Sequence, residues 1–450
     1  MGKPTSSTVN ERLSPLSTLS QDPNRRRFLK STAGGAASLT LAGCLDTATS
    51  LAGGSGDVDP VTIGVLAPNP DSDFIGQSMA RAAQVAVDTL NENGGVLGRD
   101  VELVVGDTNS SPLEARRQYQ RLILEENADV TVGVFASAAL ENIMGDIAEQ
   151  QTLHLTSGSA TTTPSRLIAE DYDRYKYHFR VGPGNNRDLA RTQINFLDDM
   201  GTEIGWNSIA LLAEDYEWTE GPWEVYQNRL SSTGVDAVMQ ERYPAAIDDF
   251  SSLYNEAEAA GADAVFISTA HTGNAALLDW SYPNRPERPP RPRGFAFGGI
   301  HVPMQLPNYY RQTGGACRFG VASTSATAQS EFSGTQEFVS AYQNAYDGDK
   351  PVYTGYHTYD AVSLFAQIAE REGTLDSEKL IPALENVSYD GVAGTVEFYG
   401  RDHEYPHDLR YVDDEWLYFQ WQENDEGGGV QEIIWPEKEA TSEYIPPVWL

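Results

Sequence analysis

The chain has 450 residues, 31 basic against 65 acidic, and a formal net charge of −34 at pH 7. That balance disfavours nucleic acid as a partner, because phosphate binding needs positive charge. The length suffices for two domains with cores of their own, and no stretch after the N-terminal region reads as a membrane-spanning helix.

In chain order, Arg25-Arg26-Arg27-Phe28-Leu29-Lys30 has the form of a twin-arginine export signal. A weakly apolar run, Ser31 to Leu41, follows; it is too short and too polar to span a bilayer. Leu41-Ala42-Gly43-Cys44 then has the form of a lipobox, in which the cysteine is lipidated and becomes the first residue after cleavage. Residues 1–43 are therefore read as a removable signal and 44–59 as a flexible linker rich in Gly, Ser and Asp. The protein is expected outside the cytoplasm, anchored to the outer face of the cell membrane by lipid on Cys44. Residues 1–43 carry six basic and two acidic side chains, so their removal takes the charge from −34 to −38. Only six of the 31 cations are lysine. At about 1 M salt the Debye length is about 3 Å and self-repulsion largely disappears; the composition resembles proteins of salt-loving archaea.

After the linker the pattern is regular. Val61 to Leu66 predicts a buried strand. Gly76 to Asn91 places Met79, Ala82, Ala83, Ala86, Val87 and Leu90 at helical spacing, and Asn93-Gly94-Gly95 ends the helix. Val101 to Val105 is a second strand, and Ser111-Pro112-Leu113-Glu114 is a capping-box pattern with proline at the first helical position. Strands are expected at 130–135, 153–156, 208–213, 264–267 and 294–297, with a crossing segment from Phe319 to Ala322. Helices are expected at 221–233, closed by Gly234, and at 336–346 and 358–371. Strands alternating with helices predict an α/β fold of two doubly wound parallel-sheet lobes, with ligands beyond the carboxyl ends of the strands. With Cys44 lipidated, Cys317 is alone, so no intrachain disulfide forms and a structural thiol is expected.

Several segments then carry a family resemblance: Val61 to Val65, Asp88 to Arg99 with its Asn-Gly-Gly-Val-Leu-Gly-Arg turn, Phe179-Arg180, Ala264 to Ile267, and Tyr359-Asp360-Ala361. Together, over about residues 60 to 435, they look like the leucine/isoleucine/valine-binding protein family, the type I periplasmic solute-binding proteins of ABC importers. The resemblance implies two lobes joined by three crossovers, closing on a small polar solute. The lobes are expected at 60–181 with 322–400, and at 182–321 with 401–450. It also implies a small-molecule solute such as an amino acid, permease subunits as partners, a monomer, no cofactor, no metal and no catalytic residues.

Site residues follow by resemblance. Ser137, just past a strand and before a helix, matches the serine that helps bind the ligand carboxylate; helix-start amides favour an anion there. Ser159 and Thr161 match the second ligand loop. Trp218 occupies the place of an aromatic that covers the ligand, Phe74 lies in the loop after the first strand, and His271 follows the 264–267 strand towards the cleft. One departure concerns the ligand ammonium. The acid expected after Phe297 is replaced by Gly298-Gly299-Ile300-His301. Either Asp215 or Glu214 replaces it, or the solute is a carboxylate, a urea-like compound or a short amide.

Two motifs compete with this reading. His403-Glu404-Tyr405-Pro406-His407 fits HExxH, but Pro406 breaks the helix a zinc protease needs. Pro283 to Arg293 holds five prolines and four arginines and reads as a surface insertion. Alternatives from other classes are an extracytoplasmic amide or peptide hydrolase, for which no nucleophile–base set is visible, and a sensor ectodomain.

Overall fold

A computed structural model describes residues 59–281, 292–412 and 415–450. The export motif, Cys44, the linker before residue 59 and most of the 283–293 insertion lie outside the described residues.

The first lobe runs β1 (Val61–Ala67), α1 (Phe74–Glu92), β2 (Val101–Asp107), α2 (Pro112–Leu124), β3 (Val130–Gly133), α3 (Ser137–Gln150), β4 (His154–Thr156), α4 (Thr163–Glu170), α5 (Tyr172–Tyr175) and β5 (His178–Arg180). Its sheet has the order β2-β1-β3-β4-β5, parallel throughout. Every residue of β1 is buried, as a strand covered on both faces requires. The Asp73 carboxylate caps α1 by accepting from the Ile75 amide at 2.9 Å. At the other end the Gly95 amide donates to the Leu90 carbonyl at 2.9 Å. Gly95 has φ +78°, and a Cβ there would stand 1.8 Å from the Arg99 carbonyl, so only glycine makes this turn. The capping box forms by half. The Ser111 hydroxyl accepts from the Glu114 amide at 3.4 Å, but the Glu114 carboxylate binds Arg117 and Gln118 instead of turning back.

The second lobe holds α6 (Asn186–Phe196), β6 (Ser208–Asp215), α7 (Glu217–Arg229), β7 (Asp236–Pro244), α8 (Ser251–Ala260), β8 (Ala264–Thr269), α9 (Ala275–Trp280), β9 (Ala296–His301), α10 (Tyr309–Gln312) and β10 (Val321–Thr324). Its parallel sheet has the order β7-β6-β8-β9. Ala210 and Leu212 of β6 join one apolar cluster while Ile209 and Leu211 join another, so both faces of the sheet are covered. The chain returns to the first lobe with α11 (Thr335–Ala345), α12 (Tyr353–Glu372), α13 (Ser377–Leu384) and the hairpin β11 (Tyr389–Gly391) and β12 (Gly394–Val396). It ends in the second lobe with β13 (Leu417–Glu423) and β14 (Gly429–Trp435).

Two lobe boundaries differ from expectation. Val321–Thr324, from residue 322 onward expected in the first lobe, pairs antiparallel with β13 and packs with the second lobe's core. Residues 401–412, expected in the second lobe, stay with the first: Leu409 bridges to Phe398, and Leu409, Tyr411 and Trp416 complete the first lobe's core. In both places apolar burial and pairing set the crossing point, not the change of sequence pattern. The second lobe also carries an antiparallel sheet, β10-β13-β14, beside its parallel one.

Candidate functional site

A cavity of about 710 Å³, part of it open to solvent, lies between the lobes. Its walls are the segments that follow parallel strands. The first lobe gives Phe135, Ala136 and Ser137 after β3, and Gly158 and Ala160 after β4. The second gives Tyr216 and Trp218 after β6, Ala270 and His271 after β8, and Ile300, Val302 and Gln305 from β9 onward. Ser323 to Ser325, Pro183 and Trp416 come from the three crossings, with Leu189 of α6 and Tyr353 of α12 completing the wall.

The backbone before α3 is turned sharply. Gly133 has φ +114° and Val134 φ +64°, the latter an uncommon conformation for a β-branched residue that costs roughly 1–3 kcal/mol. A Cβ on Gly133 would lie 2.4 Å from the Leu66 carbonyl. This turn ends β3 earlier than its apolar run suggests and sets the start of α3 at the cavity. Ala136 provides no side-chain cap, and no acidic residue occupies the first turn. The positive end of the helix dipole is thus open towards the cavity, an arrangement suited to an anion. Ser137 is buried there, and the Ser159 hydroxyl donates to its Oγ at 3.5 Å.

Glu214, at the end of β6, is fully buried and receives five hydrogen bonds. Oε1 accepts from Trp218 Nε1 at 2.7 Å and lies 2.8 Å from His271 Nδ1. Oε2 accepts from Thr269 Oγ1 at 2.9 Å and from the amides of Ala270 and His271 at 3.0 Å each. Burial pushes this carboxyl upward, but the bond and charge of His271 and the two amides outweigh it and hold it below the usual carboxylate range. Its acceptor capacity goes to the Trp218 and His271 side chains, which it aims at the cavity. Tyr216 packs on His271 at 4.4 Å between ring centroids.

Among the described residues, no Asp, Glu, Lys or Arg side chain lines this cavity.

The structure brings Ser137, Trp218 and His271 to one cavity, with Ser159 touching Ser137 from behind. It does not bring Phe74, Thr161 or Asp215 there. Phe74 is the first residue of α1 because Asp73 caps the helix, and it lies 37% exposed in a separate recess with Arg81, Pro307 and Tyr342. The Thr161 hydroxyl donates to Glu141 at 2.7 Å and faces a polar groove with Arg187 and Glu217. Asp215 points outward, with its side chain 71% exposed, and pairs with Arg242 at 3.0 Å. Tyr216, Leu189, Val302, Gln305, Tyr353 and Trp416 were not expected at the site. The rule that ligands sit past strand ends reaches Tyr216 and Val302. Tyr353 enters because α12 starts five residues earlier than its periodicity suggests, and Trp416 because of the third crossing.

The HExxH segment forms turns. His403 stacks on Tyr399 at the surface, whereas His407 is buried on Phe179, with Nε2 3.0 Å from Glu385. Among the described residues no group of three His, Cys, Asp or Glu side chains is arranged to hold a metal. Cys317 is buried, and burial pushes its thiol up to about 12.

A model of the periplasmic binding protein family matches residues 60–279 and 306–413, and the chain belongs to that family. Leu/Ile/Val-binding protein homolog 7 of Brucella suis is 27% identical over 241 residues, 52% of this chain and 58% of that protein. The chemotactic signal transduction system substrate-binding protein BasB of Halobacterium salinarum is 29% identical over 223 residues, 49% of this chain and 52% of that protein. The chain thus spans somewhat more than half the length of these curated relatives. Among solved structures, a solute-binding protein of an ABC transporter from Rhodopseudomonas palustris, in complex with 3,4-dihydroxybenzoic acid, superposes with a TM-score of 0.68 at 18% identity, covering 86% of this chain and 98% of that one. At that identity the likeness shows the fold alone.

Proposed function

We propose that this chain is the extracytoplasmic solute-binding subunit of an ABC importer, and that its solute is a small carboxylate with an apolar or aromatic body and no ammonium group. The observation that carries the reading is the cavity wall: among the described residues it has no acidic side chain, while Glu214 behind it is already bound by five donors. An ammonium buried there without a partner would cost several kcal/mol. The open start of α3 and the Ser137 hydroxyl suit a carboxylate, and Phe135, Tyr216, Trp218, Tyr353 and Trp416 suit a planar or branched body. The complex of the Rhodopseudomonas palustris protein with an aromatic acid is in keeping with this class. Binding would draw the lobes together, with the closed form presented to permease subunits. No step of covalent chemistry is invoked.

The location follows the same reading. No helix among the described residues is long and apolar enough to cross a membrane. The lipid on Cys44 is proposed as the anchor. A Cys44→Ala protein should be exported yet recovered in the soluble fraction, and retention on membranes after a high-salt wash would reject the anchor.

A thermal-shift screen in high salt tests the ligand class. Benzoate, 4-hydroxybenzoate and 4-methylpentanoate should raise the unfolding midpoint, and leucine should not. A second reading, a sensing ectodomain, draws on the similarity to a chemotactic substrate-binding protein. Co-purification with permease subunits favours import; co-purification with a membrane transducer favours sensing.

A further inference from the structure

Arg180, the last residue of β5, is fully buried together with Asp408, and its guanidinium is spent on a single turn of the cavity wall. Nε donates to Asp408 Oδ1 at 2.8 Å, while Nη1 and Nη2 donate to the backbone carbonyls of Ser159 and Thr161. A buried cation is tolerated only with its donors satisfied, so these contacts define its role. The two carbonyls bracket Ala160, which lines the cavity. In a planar trans peptide the N–H points opposite to the preceding carbonyl. With the Ser159 carbonyl held by Arg180, the Ala160 N–H points away from the guanidinium, in a residue that lines the cavity. The same turn is tied to the crossings. The Ala160 carbonyl accepts from the Asn186 amide at 2.7 Å. Asn185 Nδ2 donates to Asp408 Oδ2 at 3.0 Å, and the Asn185 side chain caps α6.

We propose that Arg180 is a positioning residue for the ligand: by capturing the carbonyls of Ser159 and Thr161 it presents the Ala160 N–H as a donor for the solute carboxylate, opposite the start of α3, and through Asp408 and Asn185 it locks that donor to the first crossing and to the first-lobe segment that precedes the third. This rests on the cavity being the ligand site. Lysine at 180 keeps the charge beside Asp408 but cannot span both carbonyls. A hydrophobic residue would leave Asp408 buried without its counter-ion.

The test compares wild type, Arg180→Lys and Asp408→Asn. Amide hydrogen exchange across residues 157–163 is followed with β1 as an internal reference, and affinities are measured for benzoate and for neutral benzamide. In Arg180→Lys, exchange in 157–163 should rise about tenfold or more with β1 unchanged, and benzoate affinity should fall at least tenfold while benzamide falls far less. Exchange in 157–163 within twofold of wild type overturns the proposal, as does an equal loss for both ligands, which marks a purely structural role. If Arg180→Lys does not fold, Asp408→Asn decides: faster exchange at both 157–163 and 185–189 supports the relay, and unchanged exchange rejects it. Should benzoate fail to bind wild type, the carboxylate reading fails, while the exchange result still judges Arg180.

Discussion

Oε1 of Glu214 lies 2.8 Å from Nδ1 of His271, behind the cavity wall instead of within it. This buried carboxylate is therefore a scaffold for Trp218 and His271. Glu214→Gln keeps the shape but offers one acceptor oxygen, and its new NH₂ faces groups that already donate. We expect a loss of roughly 2–4 kcal/mol in stability and of tenfold or more in ligand affinity, read by denaturant unfolding and calorimetry. Asp215→Asn, by contrast, should change stability by less than about 0.5 kcal/mol, because the Asp215 side chain in this pair is 71% exposed.

The crossings also form part of the wall. Gly184 packs so closely on Trp416 that a Cβ would stand 1.9 Å from Cη2 of the indole. Gly184→Ala should cost about 1–3 kcal/mol and weaken ligand binding by moving Trp416. Adding Trp416→Phe should recover part of the stability lost. No recovery in the double variant would show that the strain lies elsewhere.

Asp188, on the first turn of α6, is pushed up to about 7 by burial and then by the neighbouring Asp408, against the opposing pull of Arg191, Tyr399 and Arg180. Its ordinary value is 3.8, so between that and about 7 the folded state holds a proton that the unfolded state has lost. Stability from this group therefore falls as pH rises through that window. Asp188→Asn should remove the fall: the variant gains on wild type between pH 5 and pH 8 in unfolding free energy. A constant difference across that range would contradict the assignment.

Self-repulsion of a chain that carries −34 in full and −38 without residues 1–43 should be relieved by salt. The unfolding midpoint of the residues from 60 onward is expected to climb from 0.1 M into the molar range. A flat or falling midpoint would reject the argument.

Much of the framework was legible from local pattern. β1, α1, β2 and β8 lie within a few residues of where apolar runs and spacing put them, because each is decided by its own residues. The mis-set starts have identifiable causes. α7 begins at Glu217 instead of 221, with the Thr219 amide donating to the Tyr216 carbonyl, and Pro222 sits inside the helix. β7 was missed because one of its faces is largely solvent-exposed and its residues read as polar. At the site, Ser137 and Trp218 follow strand ends and could be found from sequence. Asp215 and Glu214 could not be told apart, since adjacent strand residues point to opposite sides and only the fold says which is buried. Leu189 and Trp416 line the same cavity from positions more than two hundred residues apart, which no local spacing encodes.

The central claim is that the solute brings a carboxylate and no ammonium. Calorimetry of the wild-type protein at molar salt with leucine and with 4-methylpentanoate, which differs by the missing amino group, tests it most directly. The account predicts that 4-methylpentanoate or an aromatic counterpart such as benzoate binds at least a hundredfold more tightly than leucine. Tight binding of leucine, with no measurable binding of either carboxylate, would contradict it.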